Sequence, residues 1–239
     1  MQTNSYITDR SLDILAISRG YASNDVVYTF GKSMSDSYLS LVGNTTTYGI
    51  STSTNVKSWS PMTNTSATNT PSRVVWDGVK WLITGKTASV YSYNGETFDN
   101  MSSSSALSCV EYNTRIYVGI GTGGVFFSYD GIHWNNSSSG TGLLQAATPP
   151  TSQIGKVAWN GTIWIAVGFG DSYTIIYSSD GIQWYPVANS KTIFNASTGA
   201  TDIVWNGTIW IATGTNTAGK LAAISSDGMT WANVSGLGL

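Results

Sequence analysis

The chain has 239 residues and a formal net charge of −2, with Asp, Glu, Lys and Arg making up 10% of it where about a quarter is usual. Lys and Arg are scattered, which excludes a basic footprint for nucleic acid. The single cysteine, Cys109, excludes an internal disulfide and a cysteine-rich metal site, and no run reaches the roughly 18 apolar residues of a membrane helix.

The opening MQTNSYITDR lacks the basic start and apolar stretch of a secretory leader, so a soluble protein without a signal peptide is expected. The first strand-like segment, LDILAIS at 12–18, either pairs with the last repeat or belongs to a sixth, irregular one. VVYTF at 26–30, YLSLVG at 38–43 and YGISTSTNVKSW at 48–59 form a degenerate first copy of a unit that then recurs. Its first half reads VVWDGVKWLITG at 74–85, VEYNTRIYVGIG at 110–121, VAWNGTIWIAVG at 157–168 and IVWNGTIWIATG at 203–214. Each is two apolar runs around a short turn. Asp-Gly and Asn-Gly supply the positive φ angles of a type I′ hairpin, and Asn113-Thr114 takes their place in one copy. Each first half is followed by a second hairpin: VYSYNGETF at 90–98, FFSYDGIHW at 126–134, IYSSDGIQW at 176–184 and AISSDGMTW at 223–231. Cys109 lies in an apolar strand and reads as a buried core residue.

Four short strands per unit, repeated at 35 to 50 residues, predict an all-β fold, a β-propeller of five blades with four antiparallel strands each. Runs such as TIWIAVG are apolar on both alternating faces, as expected of sheets covered on both sides. A β-sandwich and an open β-solenoid are the alternatives. A single domain spanning 1–239 is predicted, with an N-terminal segment at 1–25 and repeats at about 26–60, 73–99, 109–135, 156–187 and 202–234.

The second hairpins, with SYDGIHW, SSDGIQW and SSDGMTW, resemble the Asp-box, or BNR repeat, of sialidases and many other propellers. The resemblance implies that Asp130, Asp180 and Asp227 hold the turn between the third and fourth strands, with Trp134, Trp184 and Trp231 packing into the blade. Asn55 and Asn94 stand at the Asp position in weaker copies. These turns are one residue shorter than the usual box, and Asp-boxes lie away from active sites. The WNGTIWIAVG…SSDGIQW style is also similar to repeat proteins of large DNA viruses and bacteriophages, which implies a virion-associated role.

A sialidase-like enzyme needs an arginine cluster, a Tyr activated by a Glu, and an acid. The arginines Arg10, Arg19, Arg73 and Arg115 do not share a repeat position, and the only glutamates are Glu96 in a turn and Glu111 in a first strand. Glu111 stands where other copies carry Val75, Ala158 and Val204, and reads as a channel-lining residue. His133, the only histidine, reads as a solvent-facing turn residue, so no catalytic triad, transition-metal site or cofactor is predicted. GIGTGG at 119–124 joins two strands and opens no helix, which argues against phosphate binding.

Both hairpin turns of a unit fall at one end of its sheet, and the longer connections SPMTNTSATNTPS at 60–72, NNSSSGTGLLQAATPPTSQIG at 135–155 and YPVANSKTIFNASTGAT at 185–201 serve the other. Binding is expected on that long-loop face. Its candidate residues are the loop aromatics Tyr173, Tyr185 and Phe194 and a ring of mixed charge from Asp25, Arg73, Lys156 and Asp202. The expected function is a non-enzymatic binding or structural module contacting glycan or protein. The alternative is a sialidase-like glycan-processing enzyme with an atypical active site.

Overall fold

A computed structural model describes residues 29–32, 38–43, 48–53, 58, 60–61, 71–85, 88–102, 107–144, 155–195, 199–216 and 219–234. The segment 12–18, Asp25, Asn55 and Trp59 lie outside the described residues. The chain forms two compact units, 1–107 and 108–239. In the first, sheet 1 comprises β1 (Thr29–Lys32), β2 (Tyr38–Gly43), β3 (Tyr48–Ser53) and β4 (Ser60–Pro61). Sheet 2 comprises β5 (Pro71–Trp76), β6 (Trp81–Gly85), β7 (Val90–Ser92) and β8 (Asp99–Asn100). The second unit holds sheet 3, with β9 (Leu107–Tyr112), β10 (Tyr117–Gly121), β11 (Gly124–Ser128) and β12 (Asn135–Asn136). It continues with sheet 4, of β13 (Lys156–Trp159), β14 (Trp164–Val167), β15 (Ile175–Ser178) and β16 (Tyr185–Pro186). Sheet 5 has β17 (Ala200–Trp205), β18 (Trp210–Asn216), β19 (Gly219–Ser225) and β20 (Ala232–Asn233). All five are four-stranded meanders in chain order. Helix α1 (Ser138–Leu144) joins sheets 3 and 4, and α2 (Ser190–Ile193) joins sheets 4 and 5.

The first hairpin of each repeat closes one residue away from the register that the Asn-Gly pair predicts. The strands pair through Trp76↔Trp81, Trp159↔Trp164 and Trp205↔Trp210, and the Asp or Asn opens the turn instead of occupying its centre. Asn160 Oδ1 accepts the N–H groups of Thr162 and Ile163, both at 2.8 Å, and Asn206 Oδ1 does the same for Thr208 and Ile209 at 2.9 and 2.8 Å. Only the next residue takes a positive φ: Gly78 at 99°, Gly161 at 100° and Gly207 at 97°. A type I′ turn needs positive φ at both central residues, so these turns are not the expected type I′: glycine alone, in the first central place, takes the positive φ that a type II′ turn requires. In sheet 3 that position is Thr114, whose φ of 72° is the one positive value of a non-glycine among the described residues.

Sheet 4 is apolar on both faces because its inner strand serves two neighbours. On β14, Trp164 and Ala166 join the cluster of Cys109, Ile116, Val118 and Trp184, which draws on sheets 3 and 4. Ile165 and Val167 join Phe194, Ile203, Trp210 and Trp231, which ties sheet 4 to sheet 5. In the first unit Leu39 packs with Val74, Trp76, Trp81 and Ile83. Burial of a Trp or Leu side chain contributes roughly 2 to 3 kcal/mol by area, and every residue of β6 and β14 is buried.

A β-branched residue at positive φ is strained by about 1 kcal/mol or more, so Thr114→Gly is expected to raise thermal stability. Gly161 has open space where a Cβ would stand, so Gly161→Ala should lower stability by about 1 kcal/mol through backbone strain alone. Calorimetric melting of the two variants checks both signs.

Candidate functional site

The second hairpin of each repeat is built around a serine that sequence reasoning passed over. Ser178 ends β15 with its side chain buried, donates to Asp180 Oδ1 at 3.0 Å, and accepts the Gly181 N–H at 2.8 Å. Asp180 Oδ1 accepts the N–H groups of Ile182 and Gln183, both at 2.8 Å. The Trp184 indole then donates back to the Gly181 carbonyl at 3.2 Å. The same set recurs at Ser128, Asp130, Gly131 and Trp134, and at Ser225, Asp227, Gly228 and Trp231. In sheet 2, Ser92 and Asn94 make the equivalent bonds to Gly95, Glu96 and Thr97, with Phe98 in the aromatic place. The signal was present: serine stands two residues before the Asp or Asn in every one of these copies.

Hydrogen bonds of this kind favour the carboxylate. For Asp227 the Thr230 N–H is the largest influence; with the Met229 N–H and the Ser225 hydroxyl it outweighs partial burial and lowers the pKa from 3.8 to about 2. At Asp180 burial opposes the charge, but the N–H groups of Gln183 and Ile182 and the Ser178 hydroxyl prevail and lower the pKa. Asp130 is also lowered, against burial, chiefly by His133, whose Nδ1 lies 2.6 Å from Asp130 Oδ2. His133 is exposed, as a turn residue should be.

The turn glycines touch the sheet before them. A Cβ on Gly181 (φ 79°) would lie 2.8 Å from Val118 Cγ2, and one on Gly228 (φ 78°) would lie 2.7 Å from Ile163 Cδ1 and Ile165 Cδ1. The long connections add to this hold. Ser137 Oγ, just before α1, donates to the Ile182 carbonyl at 2.7 Å, and the Trp184 N–H donates to Ser139 Oγ at 3.0 Å. Asn189 Nδ2, just before α2, donates to the Trp231 carbonyl at 3.1 Å.

These contacts correct one of the loop aromatics. Phe194 follows α2 directly and is 0% exposed, in the core between sheets 4 and 5, so it offers no ring to a ligand. Tyr173, between β14 and β15, is half-buried against the core of sheets 3 and 4. Tyr185 opens β16 and is exposed, its ring tilted on Tyr177 at 5.7 Å. Arg73 is half-buried on β5 opposite Thr84. Lys156 is half-buried at the start of β13, and Asp202 is exposed on β17, its carboxylate accepting the Ile203 N–H at 2.9 Å. The structure does not gather Tyr173, Tyr185 and Phe194 into one patch. Cys109 is a buried free thiol, and Glu111 is half-buried on β9.

The large apolar side chains that are exposed among the described residues are Val79, Tyr93, Tyr129, Tyr185, Ile224 and Met229. Val79 lies in a first-hairpin turn; Tyr93, Tyr129 and Met229 lie in second-hairpin turns, and Tyr185 directly follows one. Exposed apolar surface therefore concentrates at the short-turn ends of the sheets. Among the described residues no three His, Cys, Asp or Glu side chains are grouped to hold a metal, and no helix is long and apolar enough to cross a membrane.

No protein-family model matches the chain, and no curated protein matches it in sequence. Solved structures do resemble it in fold. An ancestral GH74 enzyme aligns with a TM-score of 0.60 and 16% identity over 83% of this chain and 30% of its own. The extracellular domain of a one-component system from B. thetaiotaomicron aligns with a TM-score of 0.60 and 6% identity over 94% of this chain and 29% of its own. YCF48 from Cyanidioschyzon merolae gives 0.52 and 13%, over 94% of this chain and 86% of its own. The chain thus spans about 30% of the length of the first two. Five four-stranded meanders and these likenesses establish a β-propeller fold.

A carboxylate with a depressed folded-state pKa adds stability above its unfolded value, and that stability is lost as pH falls through the folded value. Melting temperature should therefore fall between about pH 4 and pH 2 as Asp227 protonates. Asn94 makes the same turn without a charge, so replacing Asp130, Asp180 and Asp227 together by Asn should keep the fold and flatten this acid limb. An unchanged pH profile in the triple variant contradicts the assignment.

Proposed function

We propose that the chain is a non-enzymatic β-propeller module that binds glycans. One observation carries the reading: the aspartates that recur in register, and the only histidine with them, are engaged in holding their own turns. Asp130, Asp180 and Asp227 each accept two backbone N–H bonds and one serine hydroxyl bond, and the only histidine is paired to one of them. The turns support a variant of the Asp-box with the serine as its hub. Exposed tyrosines on a charge-poor surface rich in hydroxyl and amide groups suit sugar contact. Those tyrosines favour the short-turn ends over the long-loop face as the contact surface. The sequence style of the repeat, which resembles viral and phage repeat proteins, extends the proposal to a module carried on a particle.

Fluorogenic glycosides of neutral and sialylated sugars should not be turned over, while a glycan array should retain the protein in a sugar-competable way. Turnover that tracks the purified protein and survives Asp-to-Asn replacement at the three turns would favour a glycan-processing enzyme with other residues.

A further inference from the structure

In sheets 2, 3 and 4 a ring on the third strand is paired with a second ring from outside that strand. Tyr93 stands edge-on to Tyr91 at 5.8 Å and 87°, and Tyr129 stands edge-on to Phe127 at 5.9 Å and 80°. Tyr185 lies tilted by 31° on Tyr177 at 5.7 Å. Tyr91, Phe127 and Tyr177 hold the same repeat position, two residues before the final serine's following residue, and all are half-buried. The second ring arrives by different routes. In sheets 2 and 3 it comes from the residue after the buried serine, and in sheet 4 from the fourth strand, where Tyr185 faces Tyr177 directly.

Folding does not require these outer rings. Ser179 and Ser226 occupy the place of Tyr93 and Tyr129 in turns with the same hydrogen bonds. Yet Tyr93 is 60% exposed, Tyr129 68% and Tyr185 52%. A ring held by a second ring, with its outer part in water and no gain to the fold, is a preorganised contact surface.

The surroundings select the ligand. Asp130 stands next to Tyr129 and uses Oδ1 for the turn, so Oδ2, shared with His133, faces outward as an acceptor. Asp180 and Gln183 lie in the turn leading to Tyr185, and Asn94 and Glu96 follow Tyr93. None of these three turns carries a Lys or Arg. Of the cations at the same ends, Lys80 is held by Asp77 and Arg115 stands in the other hairpin turn, so the carboxylates within these turns disfavour an anionic sugar, whereas ring faces and hydrogen-bonding acceptors suit the C–H face and hydroxyls of a neutral one.

We infer that the paired rings Phe127–Tyr129 and Tyr177–Tyr185, with Tyr91–Tyr93 as a third, are separate subsites for a neutral pyranose at the short-turn ends of sheets 3, 4 and 2. The assignment rests on the glycan-binding reading and gives it a place and a ligand class. Repeated shallow subsites bind one sugar weakly and a polyvalent display by avidity, which gains on the order of a hundredfold or more when the spacing allows.

The test uses the full chain over surfaces of polyacrylamide bearing galactose, N-acetylglucosamine or sialic acid. Retention by a neutral polymer and none by the sialylated one is expected. Tyr129→Ala with Tyr185→Ala should cut retention by about tenfold or more, and Tyr→Phe at both positions should keep it within about twofold, since the ring face makes the contact. Circular dichroism of each variant guards against misfolding. Equal retention by the Ala variants overturns the subsites but leaves glycan binding standing. Binding confined to the sialylated polymer overturns the ligand class. Silence from every polymer and from the array, with folded protein, overturns the glycan-binding reading itself.

Discussion

Everything in the second unit depends on bringing a bare backbone turn into van der Waals contact with the neighbouring sheet. Gly181 and Gly228 sit where a Cβ would collide with Val118 or with Ile163 and Ile165, and both hold positive φ angles. Such a turn needs an internal brace, because the fourth strands are too short to supply one. β12, β16 and β20 have two residues each, so the ladder ends almost where the turn ends. The serine and aspartate provide the missing bonds from inside the turn, and the tryptophan indole closes it from the other side. Each bond of this kind contributes about 1 kcal/mol net, and the buried serine–glycine bond leaves a larger penalty if the serine is removed. The two braced turns at Gly181 and Gly228 therefore fix how closely sheets 3, 4 and 5 stack.

That constraint explains which parts of the chain were legible in its sequence. Strand positions and faces are readable because a strand such as β14 must be apolar on both sides to serve two sheets, and a run such as WIAV has few other uses. The first-hairpin register was off by one. Asn-Gly predicts a turn centred on the pair, whereas the Asn side chain is needed at its opening to receive two N–H groups, which leaves the glycine alone at positive φ. Phe194 was misjudged for a different reason. A long connection was assumed to run over the surface, but a single helical turn at Ser190–Ile193 directs Ile193 and the following Phe194 into the core. The serine hub is hard to read because serine is common throughout this chain, although its spacing from the Asp or Asn never varies among the described copies.

The exposed tyrosines were harder to see because the repeat hides them. Tyr129 sits inside a motif whose neighbours are all structural, and only comparison with Ser179 and Ser226 shows that its own position is unconstrained. Repeats separate the two demands on a residue. A position that keeps its side-chain chemistry in every copy, as Ser92, Ser128, Ser178 and Ser225 do, answers to the fold.

A position that changes while the hydrogen bonds around it stay fixed answers to something else, and Tyr93, Tyr129, Ser179 and Ser226 form such a set. The same logic applies to charge. Asn94 braces its turn as the three aspartates brace theirs, so the negative charge of Asp130, Asp180 and Asp227 exceeds what the turn requires. At Asp130 one carboxylate oxygen holds the backbone while the other pairs with His133. The long connections show the converse, since Ser137, Ser139 and Asn189 attach them to the next sheet's turn. In this propeller the short turns carry the variable, exposed chemistry, and these attached stretches of the long connections serve the packing.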